Sequence, residues 1–213
     1  MTPAEKTLYE LRKLKIRGAK DYIKSLNGFL KKTRVTHLSD LATTEMSLDQ
    51  GFNYLFNLIR ERVVKRKNRI IIIGNGGSAA MAIHMLMDYV NCGNIQTMDF
   101  TSPALITCMA NDYGWKNVFA APIKKLANEG DILFAISSSG CSKNILTACK
   151  TAKHKKCLVV TFSGFKSDNP LKQMGDLNFY VPSTHYGFVE LAHEILLHCF
   201  LDLYVKRKME TAS

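Results

Sequence analysis

The sequence predicts an α/β protein, a parallel sheet covered by helices on both faces and preceded by extra N-terminal helices. Three observations carry the prediction. Arg69-Ile-Ile-Ile-Ile-Gly74 is an unbroken β-branched run, the pattern of a strand buried on both faces. Four more apolar runs follow it, and segments with helical periodicity separate them. Strand and helix therefore alternate, the order of a parallel sheet with crossover helices.

The elements run in chain order. Residues 1–40 read as a basic arm. Leu8, Leu11, Leu14, Ile16, Tyr22, Ile23, Leu26 and Leu30 recur there at helical spacing, which predicts an amphipathic helix over about 4–34. A second helix, over about 42–65, sets Met46, Leu48, Phe52, Leu55, Phe56, Ile59 and Val63 on one side. Strands are predicted at 69–74, 95–100, 131–137, 157–163 and 177–181, and helices near 78–90, 115–128 and 142–154. A closing helix covers about 187–206. The main domain is read as 41–206, and 207–213 as a disordered tail.

Composition excludes several classes. A chain of 213 residues can bury a full core without disulfides or metals. With 46% hydrophobic and 22% charged residues it is not a disordered chain. No apolar run approaches the roughly 20 residues that span a bilayer. The first ten residues lack the apolar stretch of a signal peptide, so a cytoplasmic location is expected. Six cysteines form no Cys-x-x-Cys pair and read as reduced thiols. The net charge of +11 favours anionic partners, nucleic acid or phosphorylated metabolites. Residues 1–34 hold ten basic against three acidic residues, but without the interleaved aromatics of a single-strand binder. No zinc-finger or RNP motif is present, so the arm reads as a solvated basic face and nucleic acid is not the expected partner.

Two loops carry the chemistry. Gly74-Asn75-Gly76-Gly77-Ser78 follows the first strand and opens a helix, where glycines and free helix N–H groups admit an anion. It lacks the Gly-Lys-Ser/Thr of a P-loop and the spacing of a dinucleotide fingerprint. Ser137-Ser138-Ser139-Gly140-Cys141-Ser142 again joins a strand to a helix, and its four hydroxyls suit a phosphate monoester. Ser142 also reads as an ordinary helix cap. Two such loops at the carboxyl ends of parallel strands favour a ligand site.

The order Gly74–Ala80, His84, Asn111-Asp112-Tyr113-Gly114, Ile136–Ser142 resembles the SIS (sugar isomerase) domain family, and most closely its phosphoheptose isomerase branch, over about residues 40–206. The resemblance implies a three-layer αβα sandwich with a five-stranded parallel sheet. It implies a phosphosugar substrate and a homotetramer with sites at subunit interfaces. Asp88 and His198 then match the family's catalytic pair. His84, Asp88, Glu190 and His198 match a set that can hold a zinc ion. Asn75, Gly76, Gly77, Ser78, Asp112, Ser137, Ser138, Ser139, Ser142 and Glu190 match substrate ligands.

The residue chemistry agrees with those roles. His84 and Asp88 share a helix face at i and i+4; Glu190 and His198 lie near one face at i and i+8, with Glu194 between. Moving a proton between C1 and C2 of a sugar needs a base, an acid and support for the enediolate oxygen. His84 is also open to a core or interface role, and His193 reads as structural. His185 is open between a loop ligand and a surface residue. The chain departs from the family pattern at several points. Asp88 replaces Glu, about 1.5 Å shorter in reach; Glu190 replaces Gln; Met81 replaces a common Asp; Gly187 stands where an acidic ligand is expected. A non-catalytic SIS protein that binds a phosphosugar or a protein partner stays open as the second reading.

Overall fold

Ile70–Ile73 forms a strand whose four side chains are all buried. In the computed structural model, which describes Tyr9, residues 12–39 and residues 42–210, this strand has a core on each side. Ile70 and Ile72 join one apolar cluster with Phe52, Met85 and Leu197. Ile71 and Ile73 join the other with Phe119, Ile123 and Leu133. A period of two thus explains the unbroken apolar run.

The helices are α1 (Ala19–Lys31), α2 (Leu48–Ile59), α3 (Gly77–Asn91), α4 (Pro103–Tyr113), α5 (Ala120–Leu126), α6 (Lys143–His154) and α7 (Tyr186–Glu210). The strands are β1 (Arg34–Leu38), β2 (Thr43–Met46), β3 (Ile70–Ile73), β4 (Thr97–Asp99), β5 (Ile132–Ser137), β6 (Leu158–Ser163) and β7 (Leu177–Tyr180). They form one sheet in the order β2-β1-β7-β6-β5-β3-β4. The five strands β3 to β7 are parallel, as expected. Among the described residues, no helix is long and apolar enough to cross a membrane.

Several expectations are corrected. The sheet has seven strands, because β1 adds antiparallel to β7 and β2 antiparallel to β1. Arg34–Leu38 was expected within the helical arm; it pairs instead through Arg34↔Tyr180 and Val35↔Phe179, and Val35 is fully buried. Residues 42–65 are not one helix. Thr43–Met46 is strand, Ser47 and Gln50 form a capping box that starts α2, and a π-helical turn, Arg60–Lys65, ends it. Residues 115–128 divide into a 3₁₀ turn, Trp115–Asn117, and the short α5. Helix α4 was missed. It has a Ser102 cap and Pro103 at its start, and only half-buries Leu105, Ile106, Met109 and Ala110 against the second apolar cluster. At the C-terminus α7 runs on to Glu210, into the segment read as a tail.

The expected single helix over 4–34 is broken: Tyr9, Arg12 and Lys13 are helical, residues 14–18 leave the helix, and α1 starts at Ala19, while Leu8 and Leu11 lie outside the described residues. Helix α1 docks on the start of α7, where Tyr22 stacks on Phe188 at 4.5 Å and Phe29 lies 5.1 Å from the same ring.

His193 is structural, as the sequence reading had it. It is fully buried in α7, and its Nε2 donates to the Ser163 carbonyl at 3.1 Å. Burial pushes its pKa down to about 4. Unfolded, the imidazole takes up a proton near its ordinary value of about 6.5. The unfolded chain therefore binds more protons in the window between. Its contribution to stability is complete above about pH 6.5, falls as pH drops, and is lost by about pH 4, roughly 3 kcal/mol in all. Urea denaturation across this window will show wild type losing that much more stability than His193→Gln, whose amide keeps the bond to Ser163 without titrating.

Candidate active site

The chain leaves β3 for β4 on one side of the sheet and returns to β5 on the other. The loops after β3 and β5 consequently meet at the point where the strand order reverses, the usual ligand position in such sheets. One hydrogen-bond pair locks them together. Asn75 Nδ2 donates to Asn144 Oδ1 at 3.0 Å, and Asn144 Nδ2 donates back to Asn75 Oδ1 at 2.8 Å. Asn144 is buried, and its Oδ1 also accepts from the Ile145 amide at 3.0 Å. Gly140 turns the second loop at φ 63, with Asn169 packed where a side chain would project.

Between the loops lies a cleft of about 120 Å³. Asn75, Ser78, Ile136, Ser137, Ser138, Ser139, Ser142, Tyr186 and Glu190 line it. The sequence-predicted serines are thus together. Ser78 and Ser138 are buried, and Ser138 Oγ has no hydrogen-bond partner. Ser142 occupies the cap position of α6 without capping it. Its hydroxyl instead lies 3.4 Å from Ser137 Oγ, so the plain capping role does not hold. Gly76 and Gly77 form the turn into α3.

Glu190 enters this cleft from α7. A Cβ at Gly77 would sit 2.9 Å from Glu190 Oε2, so the carboxylate lies directly against the Gly77 backbone and would have to shift for any larger residue. Burial holds the Glu190 carboxyl above the usual carboxylate range. Among the described residues no Lys or Arg lines the cleft, and the helix N-termini supply positive potential there.

A second group lies where α3 crosses α7. His84 Nε2 is 3.3 Å from Asp88 Oδ2, one helical turn on. His198 Nδ1 approaches the same oxygen at 3.7 Å. The two imidazole rings meet edge to face, 5.0 Å between centroids. One ligand atom from each of His84, Asp88 and His198 lies within 4.8 Å of the others. Two imidazoles and a carboxylate at this spacing fit a zinc ion with open positions for substrate. His84 Nδ1 reaches Glu194 Oε1 at 3.2 Å. At about half exposure His84 is no core residue of this chain.

Three of the four expected metal ligands thus converge, and Glu190 is not among them. It faces the serines, and Glu194 holds the place beside His84. Asp112 does not reach the cleft. It is exposed on α4, accepting from Asn111 Nδ2 at 2.9 Å. His185, expected as a ligand or a surface residue, is buried against Phe188. Sequence reasoning missed Asn144 and Tyr186. Asn144 carried a weak signal, two residues beyond the serine loop; Tyr186 carried none.

A parallel α/β sheet with a hydroxyl-lined cleft at its switch point and a His–Asp–His cluster beside it has the layout of a small-ligand site at the carboxyl ends of the strands. Comparison with known proteins gives the family. The SIS domain family model matches residues 29–164. The phosphoheptose isomerase of Cytophaga hutchinsonii is 37% identical over 137 residues, 62% of this chain and 70% of that one. That of Coxiella burnetii is 34% identical over 155 residues, 69% and 77% of the two chains. The structure of a phosphoheptose isomerase from Francisella tularensis superposes with a TM-score of 0.69 at 27% identity, covering 75% of this chain and 87% of that one. The chain belongs to the SIS domain family, in its phosphoheptose isomerase branch.

The half-buried Glu190 carboxyl has a testable consequence. Its raised pKa means the folded state disfavours the ionised form, so its cost to stability appears as pH rises through that pKa. Glu190→Gln will raise the melting temperature at pH 7. The gain will vanish when both proteins are melted in acid, where Glu190 is protonated in either state.

Proposed function

We propose that this isomerase interconverts a ketose phosphate and an aldose phosphate through an enediol, with sedoheptulose 7-phosphate as the ketose. The observation that carries the reading is the convergence of His84, Asp88 and His198 beside a hydroxyl-lined cleft. The names of the relatives support the heptose phosphate.

Ser78, Ser137, Ser138, Ser139 and Ser142, with the Gly76-Gly77 turn, bind the phosphate. Asn75 keeps one amide proton free of Asn144 and presents it to a sugar oxygen. Glu190 accepts from a sugar hydroxyl in this reading. Asp88 removes a proton from C1 of the ketose while protonated His198 gives one to the C2 carbonyl oxygen, and the enediol forms. Asp88 then returns its proton to C2, and His198 takes the proton of the C1 hydroxyl. The aldehyde results, and both groups regain their starting states. His84, held between Asp88 and Glu194, orients the carboxylate. A zinc ion held by His84, Asp88 and His198 would supply Lewis-acid support for the enediolate oxygen.

The same reading makes the protein a cytoplasmic homotetramer. Ile83, Met87 and Val90 on α3, with Leu191 and Ile195 on α7, are exposed beside the acid–base cluster. A partner subunit covers apolar surface of this kind. Asp112 binds sugar hydroxyls only across such an interface.

The test is turnover of sedoheptulose 7-phosphate, followed as aldose formation with and without added zinc. Asp88→Asn is expected to lose at least about a hundredfold in kcat, because an amide cannot take the proton. Its melting temperature will stay within a few degrees of wild type. Wild-type turnover by Asp88→Asn would remove Asp88 from the mechanism.

A further inference from the structure

One polar group of the cleft has no part in this mechanism. Tyr186 opens α7 and lines the cleft beside Glu190. Among the described residues its hydroxyl makes no hydrogen bond with the protein. Burial, and then the Glu190 carboxylate, raise the phenol above its ordinary range, so at neutral pH it is a donor. Its neighbour in the cleft, Ser138, is likewise buried with its hydroxyl unpartnered. Two unengaged donors on one small cleft are left for a ligand oxygen.

The ring of Tyr186 is held from behind. Phe165 meets it edge-on, 4.8 Å between centroids at 75°. Phe165 follows the end of β6 at φ 58, the left-handed region that bulky residues avoid. Two bonds pin it there. Its amide donates to the Ser183 carbonyl at 2.8 Å, and its own carbonyl accepts from Tyr180 Oη at 2.9 Å. Strain of this kind persists only where the surroundings over-determine it, and it gathers at functional sites. Here it places an aromatic wall against a cleft-lining phenol.

We propose that Tyr186 is a substrate-binding residue whose phenol donates to an oxygen of the bound phosphosugar, and that Phe165 is the positioning residue that aims it. The inference rests on the phosphosugar reading of the cleft. The oxygen belongs to the phosphoryl group or to a sugar hydroxyl, and the experiment separates these.

Wild type, Tyr186→Phe, Phe165→Leu and the double variant are titrated by calorimetry with inorganic phosphate and with sedoheptulose 7-phosphate. Turnover is measured in parallel. Tyr186→Phe keeps the ring and its packing, so its melting temperature will match wild type. Its affinity for sedoheptulose 7-phosphate, and its KM, will worsen about tenfold, while kcat stays within about twofold. A loss shared by inorganic phosphate assigns the bond to the phosphoryl oxygen; a loss confined to the sugar phosphate assigns it to a hydroxyl. Phe165→Leu will raise KM severalfold in wild type and add less than about twofold to Tyr186→Phe. Equal affinity of wild type and Tyr186→Phe for both ligands overturns the role of Tyr186, and additive effects overturn that of Phe165. Wild type that binds sedoheptulose 7-phosphate without turnover sinks the isomerase substrate, while the affinity comparison still decides on Tyr186. Wild type that binds neither ligand overturns both.

Discussion

Everything chemical in this protein depends on how α3 packs against α7. Helix α3 carries Gly77, Ser78, His84 and Asp88; helix α7 carries Tyr186, Glu190, Glu194 and His198. Met81, Ala82 and Met85 bury the inner face of α3 in the same apolar cluster as Ala192, Leu196 and Leu197 of α7. Tyr89, fully buried one turn after Met85, donates to the Leu197 carbonyl at 3.4 Å. A buried phenol that reaches one particular carbonyl resists sliding of one helix along the other, because any shift leaves it unpaired in an apolar interior. The crossing in turn decides which side chains meet. It sets His198 against Asp88 and Glu190 against the Gly77 backbone.

The site divides its electrostatics along that crossing. At one end, hydroxyls and helix N-termini supply weak positive potential without a full charge. At the other, the carboxyl groups of Asp88 and Glu194 flank the His84 ring, a donor set that fits a bound metal. A cleft without Lys or Arg holds an anion by many modest donors, which suits a ligand that must leave after each turnover. Glu190 stands between the two ends. Its carboxylate is tolerated there because the start of α3 faces it. It enters the serine cleft because it sits two turns before His198 on α7, while Glu194, one turn before, is level with His84.

The legible parts of the sequence were those where one physical rule dominates. Strands β3, β5, β6 and β7 are buried on both faces, so their apolar runs stand out without any tertiary knowledge. The β1–β2 hairpin was hidden for the opposite reason. Thr43–Met46 is an exposed edge, and β1 buries Val35 alone. Neither shows an alternation strong enough to compete with the helical spacing around it. Helix α4 only half-buries Leu105, Ile106, Met109 and Ala110, a faint helical stripe beside its Ser-Pro start. In the site, the i and i+4 spacing of His84 and Asp88 predicted their pairing, since a single helix fixes it. The choice between Glu190 and Glu194 as the carboxylate beside His84 was not legible. Both lie on one face of α7, and only the crossing with α3 separates them. Asn144 gave only a weak signal and Tyr186 none, since each matters through a partner distant in sequence.

In the proposed isomerisation, the α3–α7 crossing builds a proton relay through Asp88. That carboxylate is about a third exposed, so a proton resting on it exchanges with water before it returns to the sugar. The direct measurement is conversion of sedoheptulose 7-phosphate in deuterium oxide, with the aldose product analysed by NMR. The account predicts one non-exchangeable deuterium at C2 of the product. An aldose formed at full rate with only protium at C2 would mean the hydrogen passes between the carbons without resting on an exchangeable base, and would contradict it.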